Sequence, residues 1–126
     1  MSDAKRFSRP VLAGIHESKI LGIRAGDGPH RFTGVWAVVV DGRVFVRSWD
    51  DKPEGWHRAF LQNPRGAIQI GKREIPVRAR RTRGARLMEA NDRAYGEKYT
   101  TPGARGYVRG FARPRRRNTA TELALL

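Results

Sequence analysis

Two dipeptides constrain this chain more than anything else in it. Asp41-Gly42 stands between WAVVV and RVFVRS, and Gly71-Lys72 stands between GAIQI and REIPVRA. Each is a two-residue hairpin signal between runs of β-formers, and a turn that short dictates which residues face each other. The first turn places Val40 opposite Arg43 and Trp36 opposite Arg47. One face of that hairpin then carries Val35, Ala37 and Val39 with Val44, Val46 and Ser48. The other carries Trp36, Val38 and Val40 with Phe45 and Arg47. Both faces are largely apolar, so the hairpin is expected to be central and covered on both sides.

A helix is expected between the hairpins, over residues 53–62. It starts near Asp51 with Pro53 in its first turn, and Pro64 ends it by forcing Asn63 out of the helical region. Trp56 and Phe60, four apart, face inward together. The second turn sets Ile68 and Ile70 against Ile75 and Val77, and Pro76 marks an edge or a bulge because it has no N–H to give a ladder. Lys19 to Ala25 reads as a first strand that GDGPH breaks, and residues 1–16 read as a loosely ordered start. Residues 83–99 read as a second helix, with Leu87, Ala90, Ala94, Tyr95 and Lys98 along one face. The Pro- and Gly-broken stretch 101–117 reads in part as loop, and NTATELALL closes the sheet with Leu123 and Leu125 inward. About six short strands with two helices make a mainly β fold, a small antiparallel barrel, in one domain over residues 1–126.

A chain of 126 residues can bury roughly two-thirds of its unfolded surface. It has no cysteine, which excludes disulfides, thiol catalysis and thiolate metal sites. Its longest apolar run, Val35 to Val40, is far too short to cross a bilayer, so a soluble, cytoplasmic protein without a membrane partner is expected. The net charge is +14. Arginine supplies most of it, in two clusters: Arg78, Arg80, Arg81, Arg83 and Arg86, then Arg105, Arg109, Arg113, Arg115, Arg116 and Arg117. Such a field favours anionic partners, including non-specific nucleic acid, and says nothing about fold. Aromatic residues are not interleaved with the basic runs as stacking platforms require, and no nucleic-acid-binding motif is present.

The strand end Arg47-Ser48-Trp49 and the helix start Trp56-His57-Arg58 meet at one junction, which suits an anionic ligand with a flat ring. Arg47 is the candidate phosphate contact, since a planar guanidinium makes bidentate, charge-assisted bonds to phosphate oxygens. Trp36, Ser48, Trp49, Trp56 and Arg58 complete the candidate groove. Arg24 and Arg31 flank the Gly-rich loop, and Lys98 can donate to an anion from beside Tyr95 and Tyr99. Every one of these residues also has a plain structural use: finishing a sheet, filling a core, or snorkelling to water. His16, His30 and His57 lack metal-type spacing, and no Ser, His and acid grouping suggests a hydrolase. Asp50 and Asp51 read as capping residues.

The segment GWHRAFLQNPRGAIQIGKREIPVRAR resembles the W-Y-H-N-L, A-N-P and V-x-A-R signature of the deazaflavin-dependent nitroreductases. Matching positions are Arg31, Ser48, Trp56, Asn63, Pro64 and Ala79. The whole chain, with WAVVVDGRVFVRS, W-x-R-A and AYGEKY, more closely resembles an uncharacterised bacterial family placed in the same FMN-binding split-barrel superfamily, over roughly residues 17–126. His57, Arg58 and Ala59 depart from the nitroreductase Tyr, His and Asn, and Ala25-Gly26-Asp27-Gly28 only faintly echoes its phosphate loop. The resemblance implies a split barrel similar to pyridoxamine-phosphate oxidases, with FMN or a deazaflavin coenzyme held between Arg47–Trp49 and Trp56. It also implies an oxidoreductase whose cofactor carries the hydride chemistry. A homodimer, a non-enzymatic binder of anions and a barrel without its cofactor all remain compatible with the sequence.

Overall fold

The computed structural model describes residues 6–26 and 31–126. Seven strands alternate with five helices: α1 Arg9–Glu17, β1 Leu21–Ala25, β2 Thr33–Val35, β3 Ala37–Val40, β4 Arg43–Val46, α2 Trp56–Gln62, β5 Arg65–Ile70, β6 Arg73–Arg81, α3 Ala85–Lys98, α4 Pro102–Phe111, α5 Pro114–Arg117 and β7 Thr121–Leu125. The strands form one antiparallel sheet in the order β2-β1-β5-β6-β7-β4-β3. Its two outermost strands, β2 and β3, are separated in the chain by Trp36 alone. The sheet therefore curls into a nearly closed barrel whose ends meet at that residue, the split-barrel architecture expected from the strand pattern.

Both hairpin registers follow from their turns. Val40 pairs with Arg43 and Ile70 with Arg73. Asp41 and Gly42 supply the positive φ values, 52° and 73°, that such a turn needs. The first ladder ends at Ala37 opposite Val46, one pair short of Trp36 and Arg47. Alternation then sorts the side chains. Leu21, Ile23, Val44, Val46, Ile68, Ile75, Val77 and Leu123 fill the barrel, joined by Val11 and Ile15 of α1 and Phe60 of α2. Outside the barrel, Val38 and Phe45 pack under Tyr95 and Tyr99 at the end of α3 and Phe111 of α4. The first hairpin is thus covered on both faces as expected, although β3 lies at one end of the strand order rather than in its middle.

Three stretches differ from the sequence reading. Residues 9–17, expected within a loose start, are helix α1. Ser8 Oγ accepts the Val11 N–H at 3.3 Å, Pro10 sits in the first turn, and Val11 and Ile15, four apart, are buried. The stretch 101–117, read in part as loop, forms α4 and α5. Thr101 Oγ1 accepts the Ala104 N–H at 3.2 Å, and Phe111 is buried while Ala104 and Val108 pack against its cluster, which outweighs the poor helix propensity of Gly103, Gly106 and Gly110. Helix α2 begins at Trp56 rather than residue 53, because Asp51 takes a left-handed conformation (φ 47°) and residues 52–55 close a turn, Gly55 N–H to Lys52 O at 2.9 Å. Asn63 is extended before Pro64, as expected. Pro76 lies in a strand flanked on both sides, β6, but just before β7 pairing begins at Val77; its carbonyl accepts the Leu126 N–H at 3.4 Å. Asp27 and Gly28 of the faint phosphate loop lie outside the described residues.

Candidate functional site

After Val46 the chain leaves the sheet and is fixed by short bonds. Ser48 N–H donates to Thr119 Oγ1 at 2.8 Å, and Thr119 Oγ1 donates to Arg116 O at 2.7 Å. Ser48 Oγ in turn accepts the Asp51 N–H at 2.9 Å. The Asp51 carboxylate faces helix α2, where Arg58 donates to it at 3.1 and 3.2 Å and His57 Nδ1 lies 2.8 Å away. The Arg58 hydrogen bond, helped by His57, holds the Asp51 carboxyl below the usual carboxylate range. The strand-to-helix junction is therefore a rigid loop, with its acid turned toward its own helix.

Beside that loop opens a cavity of about 650 Å³. Its aromatic wall is a cluster of four rings. Trp49 meets Tyr107 edge-on at 5.0 Å and Phe111 at 5.2 Å, and Trp36 lies 5.9 Å from Tyr107 and 5.8 Å from Phe111. Trp56 borders the cavity from α2, where it packs on Phe60 at 6.1 Å. Thr33, Gly34 and Val35 contribute from β2, Ile20 from just before β1, and Asp50, Lys52 and Glu54 from the loop. Ile20 and Tyr107 are more than half exposed at the cavity, so it is an open groove with an apolar rim.

The wall is held from behind. Arg116 lies 3.5 Å over the Trp49 ring and donates from Nε to Trp49 O at 3.0 Å. Gly110 packs so tightly on the Trp49 ring that a Cβ there would collide with it. Trp36 stacks on Tyr99, 4.0 Å apart and within 4° of parallel. Tyr99 Oη donates to Lys19 O at 2.6 Å, and burial pushes its phenol up to about 12.

Of the nine candidate binding residues, Trp36, Arg47, Ser48, Trp49 and Trp56 border this cavity. The Arg47 side chain, however, has no exposed surface. Its Nη1 donates to Asp92 Oδ1 at 2.6 Å and to Phe111 O at 2.7 Å, and its Nη2 to Met88 O at 3.3 Å. Arg117 reaches the other Asp92 oxygen at 3.1 Å. Arg47 thus ties β4 to α3 and α4. Its Nε has no partner among the described residues. Arg24 pairs with Glu74 at 3.5 Å and covers Phe32, Arg31 is exposed, and Arg58 is on Asp51. Lys98 donates to Ile15 O at 2.9 Å and Ala37 O at 2.6 Å, fastening α1 to β3; burial pulls its ammonium down to about 8. None of these four borders the cavity. The sequence reading missed Tyr107 and Phe111, whose four-residue spacing was the available signal in a stretch read in part as loop.

The family described as "Uncharacterized protein conserved in bacteria (DUF2255)" matches residues 11–123. The chain belongs to this family. That match runs from within α1 to within β7, so the aromatic wall and the Arg47–Asp92 pair lie within the DUF2255 region. No curated protein matches the chain. Among solved structures, a conserved hypothetical protein from Mycobacterium tuberculosis, Rv2991, is similar over all of this chain and 83% of its own, with a TM-score of 0.60 and 15% identity. At that identity the likeness is one of fold. Among the described residues no helix is long and apolar enough to cross a membrane.

Proposed function

We propose that the groove binds a planar heteroaromatic ligand of the flavin or deazaflavin type. The observation that carries this reading is the cavity of about 650 Å³ bordered by three tryptophans, a tyrosine and a phenylalanine on a split barrel. A site of that size suits a cofactor-sized ring system, and fixed aromatic faces hold such a ring at low entropic cost. In this reading Trp36, Trp49, Trp56 and Tyr107 hold the ring. The bound cofactor, of the kind used by the nitroreductases the chain resembles, would supply any hydride transfer. The protein's part is to orient the ring and to keep water from its faces.

The ligand's anionic end is served differently from its ring. Arg47 is engaged by Asp92 and two carbonyls, and Ser48 Oγ by the Asp51 N–H. Among the described residues, the other cation at the cavity is Lys52, which stands 3.8 Å from Asp50 and is well exposed. We therefore assign any phosphate to the Lys52 side of the mouth. A second reading is favoured by the same observation: a barrel that keeps the ring groove but takes no phosphorylated cofactor.

Titration of the purified protein with FMN, riboflavin and a deazaflavin coenzyme, read by fluorescence and thermal shift, tests both. Saturable binding that Trp49→Ala abolishes is expected. Riboflavin and FMN should differ by less than about tenfold, since one exposed lysine contributes less than a buried charge-assisted bond. A much larger preference for FMN would show that a stronger phosphate clamp exists. Binding of none of the three would leave the cofactor-free barrel as the better reading.

A further inference from the structure

The end of the barrel beside α2 holds a second, smaller cavity of about 40 Å³, bordered by His57, Phe60, Leu61, Ala79, Arg81 and Thr121. None of these residues borders the aromatic groove. Alternation builds one wall. Ile75, Val77, Ala79 and Arg81 share a face of β6, as Thr121 and Leu123 share a face of β7, and Ile75, Val77 and Leu123 are buried inside the barrel. Arg81 stands opposite Thr121 in the ladder, so both leave the inner face where those rows end. The other wall is α2, whose Phe60 fills the barrel, with His57 three residues before it on the same side of the helix.

The His57 ring is held in one orientation. Its side chain is only 12% exposed, and Nδ1 lies 2.8 Å from Asp51 Oδ1. The Asp51 carboxylate, held below the usual range chiefly by Arg58, is ionised and can only accept a hydrogen bond. Nδ1 therefore carries the proton, which leaves Nε2 as a bare acceptor with no partner among the described residues. The loop does not depend on His57 for its hold on Asp51, since Arg58 already reaches both carboxylate oxygens. Across the cavity Arg81 brings a guanidinium, which has donors and no acceptor.

We propose that this cavity binds a small oxyanion that keeps a hydroxyl proton, with free inorganic phosphate as the type. Its P–O–H donates to His57 Nε2, and its charged oxygens accept from the Arg81 fork. The volume exceeds the 10–15 Å³ or so that one water needs, yet it is too small for a ring, so the ligand is compact. Phe60 and Ala79 add apolar walls, which strengthen such bonds by excluding water. The bare Nε2 supplies the selectivity. Sulfate has the size and charge of phosphate but no proton to give, and a phosphate monoester loses its last proton at about pH 6. Both set a lone pair against a lone pair.

The test follows the His57 ring nitrogens by NMR at about pH 8 and constant ionic strength, with circular dichroism to check the fold of each variant. Inorganic phosphate, sulfate and glycerol phosphate are added separately. The free protein should show the proton on Nδ1 and a bare Nε2. Phosphate should then move the Nε2 resonance saturably, and sulfate and glycerol phosphate should bind at least about tenfold more weakly. Arg81→Gln should weaken phosphate binding by about tenfold or more. Arg80→Gln makes the same change in net charge from the opposite face of β6 and should alter it by less than about twofold. A proton on Nε2 in the free protein would overturn the proposal. So would an affinity for sulfate or glycerol phosphate equal to that for phosphate, equal losses from the two arginine variants, or an Nε2 resonance indifferent to phosphate.

Discussion

The two cores of this barrel are built from different materials. Inside, Leu21, Ile23, Val44, Val46, Ile68, Val77 and Leu123 present branched aliphatic groups with no polar atom among them. Outside, Val38, Phe45, Tyr95, Tyr99 and Phe111 pack with Trp36 and Trp49, and charged groups enter the same layer: Arg47 lies under the Tyr95 ring and Lys98 against Tyr99. An aliphatic core is filled by shape alone and tolerates no gap. Rings meet here both stacked, as Trp36 on Tyr99, and edge to face, as Trp49 on Tyr107, and they bring hydroxyls and indoles that must be satisfied. The aromatic layer therefore depends on directed bonds, and it is the layer that borders an open groove. The groove is bordered mostly by this aromatic layer, with Val35 and Trp56 of the inner cluster along its other side.

The largest expected effect falls on the aromatic side. Arg47→Ala leaves Asp92 with Arg117 alone and strips donors from the Phe111 and Met88 carbonyls. A loss of about 3–5 kcal/mol in urea unfolding is expected, as for other broken buried pairs. Replacing the pair together, Arg47→Met with Asp92→Leu, should recover most of it; failure to recover would mean that the carbonyl bonds matter more than the charge. In the aliphatic core, Leu123→Ala should cost about 2–4 kcal/mol through lost burial and the cavity left behind. Ring binding in the groove should survive that change in whatever fraction remains folded.

Gly110→Ala sharpens the comparison at the seam. The new methyl must displace the Trp49 ring or α4, so about 1–3 kcal/mol of overpacking strain is expected. Its distinguishing result is a change in Trp49 fluorescence with loss of ring binding, although the position touches no ligand. Unchanged Trp49 emission would contradict the seat assigned to Gly110.

The smallest effect is an alkaline pH dependence that arises in the aromatic layer. Lys98 has its folded pKa lowered to about 8 from 10.5, so the unfolded chain binds more protons between those values and stability rises with pH across that window. Tyr99 acts in the opposite sense. Its folded pKa of about 12 lies above 10.0, so the folded chain holds the extra proton and stability falls as pH climbs from about 10 to 12. A shallow maximum near pH 10 follows, on the order of 1 kcal/mol because Lys98 is only half-buried. Lys98→Met should erase the rise from pH 8 and leave the alkaline fall. An unaltered profile in that variant would assign the rise to another group.

How much of this was open to inspection in the chain itself divides along the same line. Asp41-Gly42 and Gly71-Lys72 determined two registers, and Pro64 determined where α2 stops, because each restricts backbone dihedrals at its own position whatever surrounds it. Alternation sorted Val44 and Val46 from Phe45 for the same local reason. The closure of the barrel at Trp36, the burial of Arg47 against Asp92 45 residues away, and the arrival of Tyr107 and Phe111 beside Trp49 had no such local signature. An arginine at a strand end reads the same whether an anion or an aspartate will meet it. Only the packing of α3 and α4 onto the outside of β3 and β4 decided that partner, since the energy of a buried charge depends on which groups the fold brings within reach.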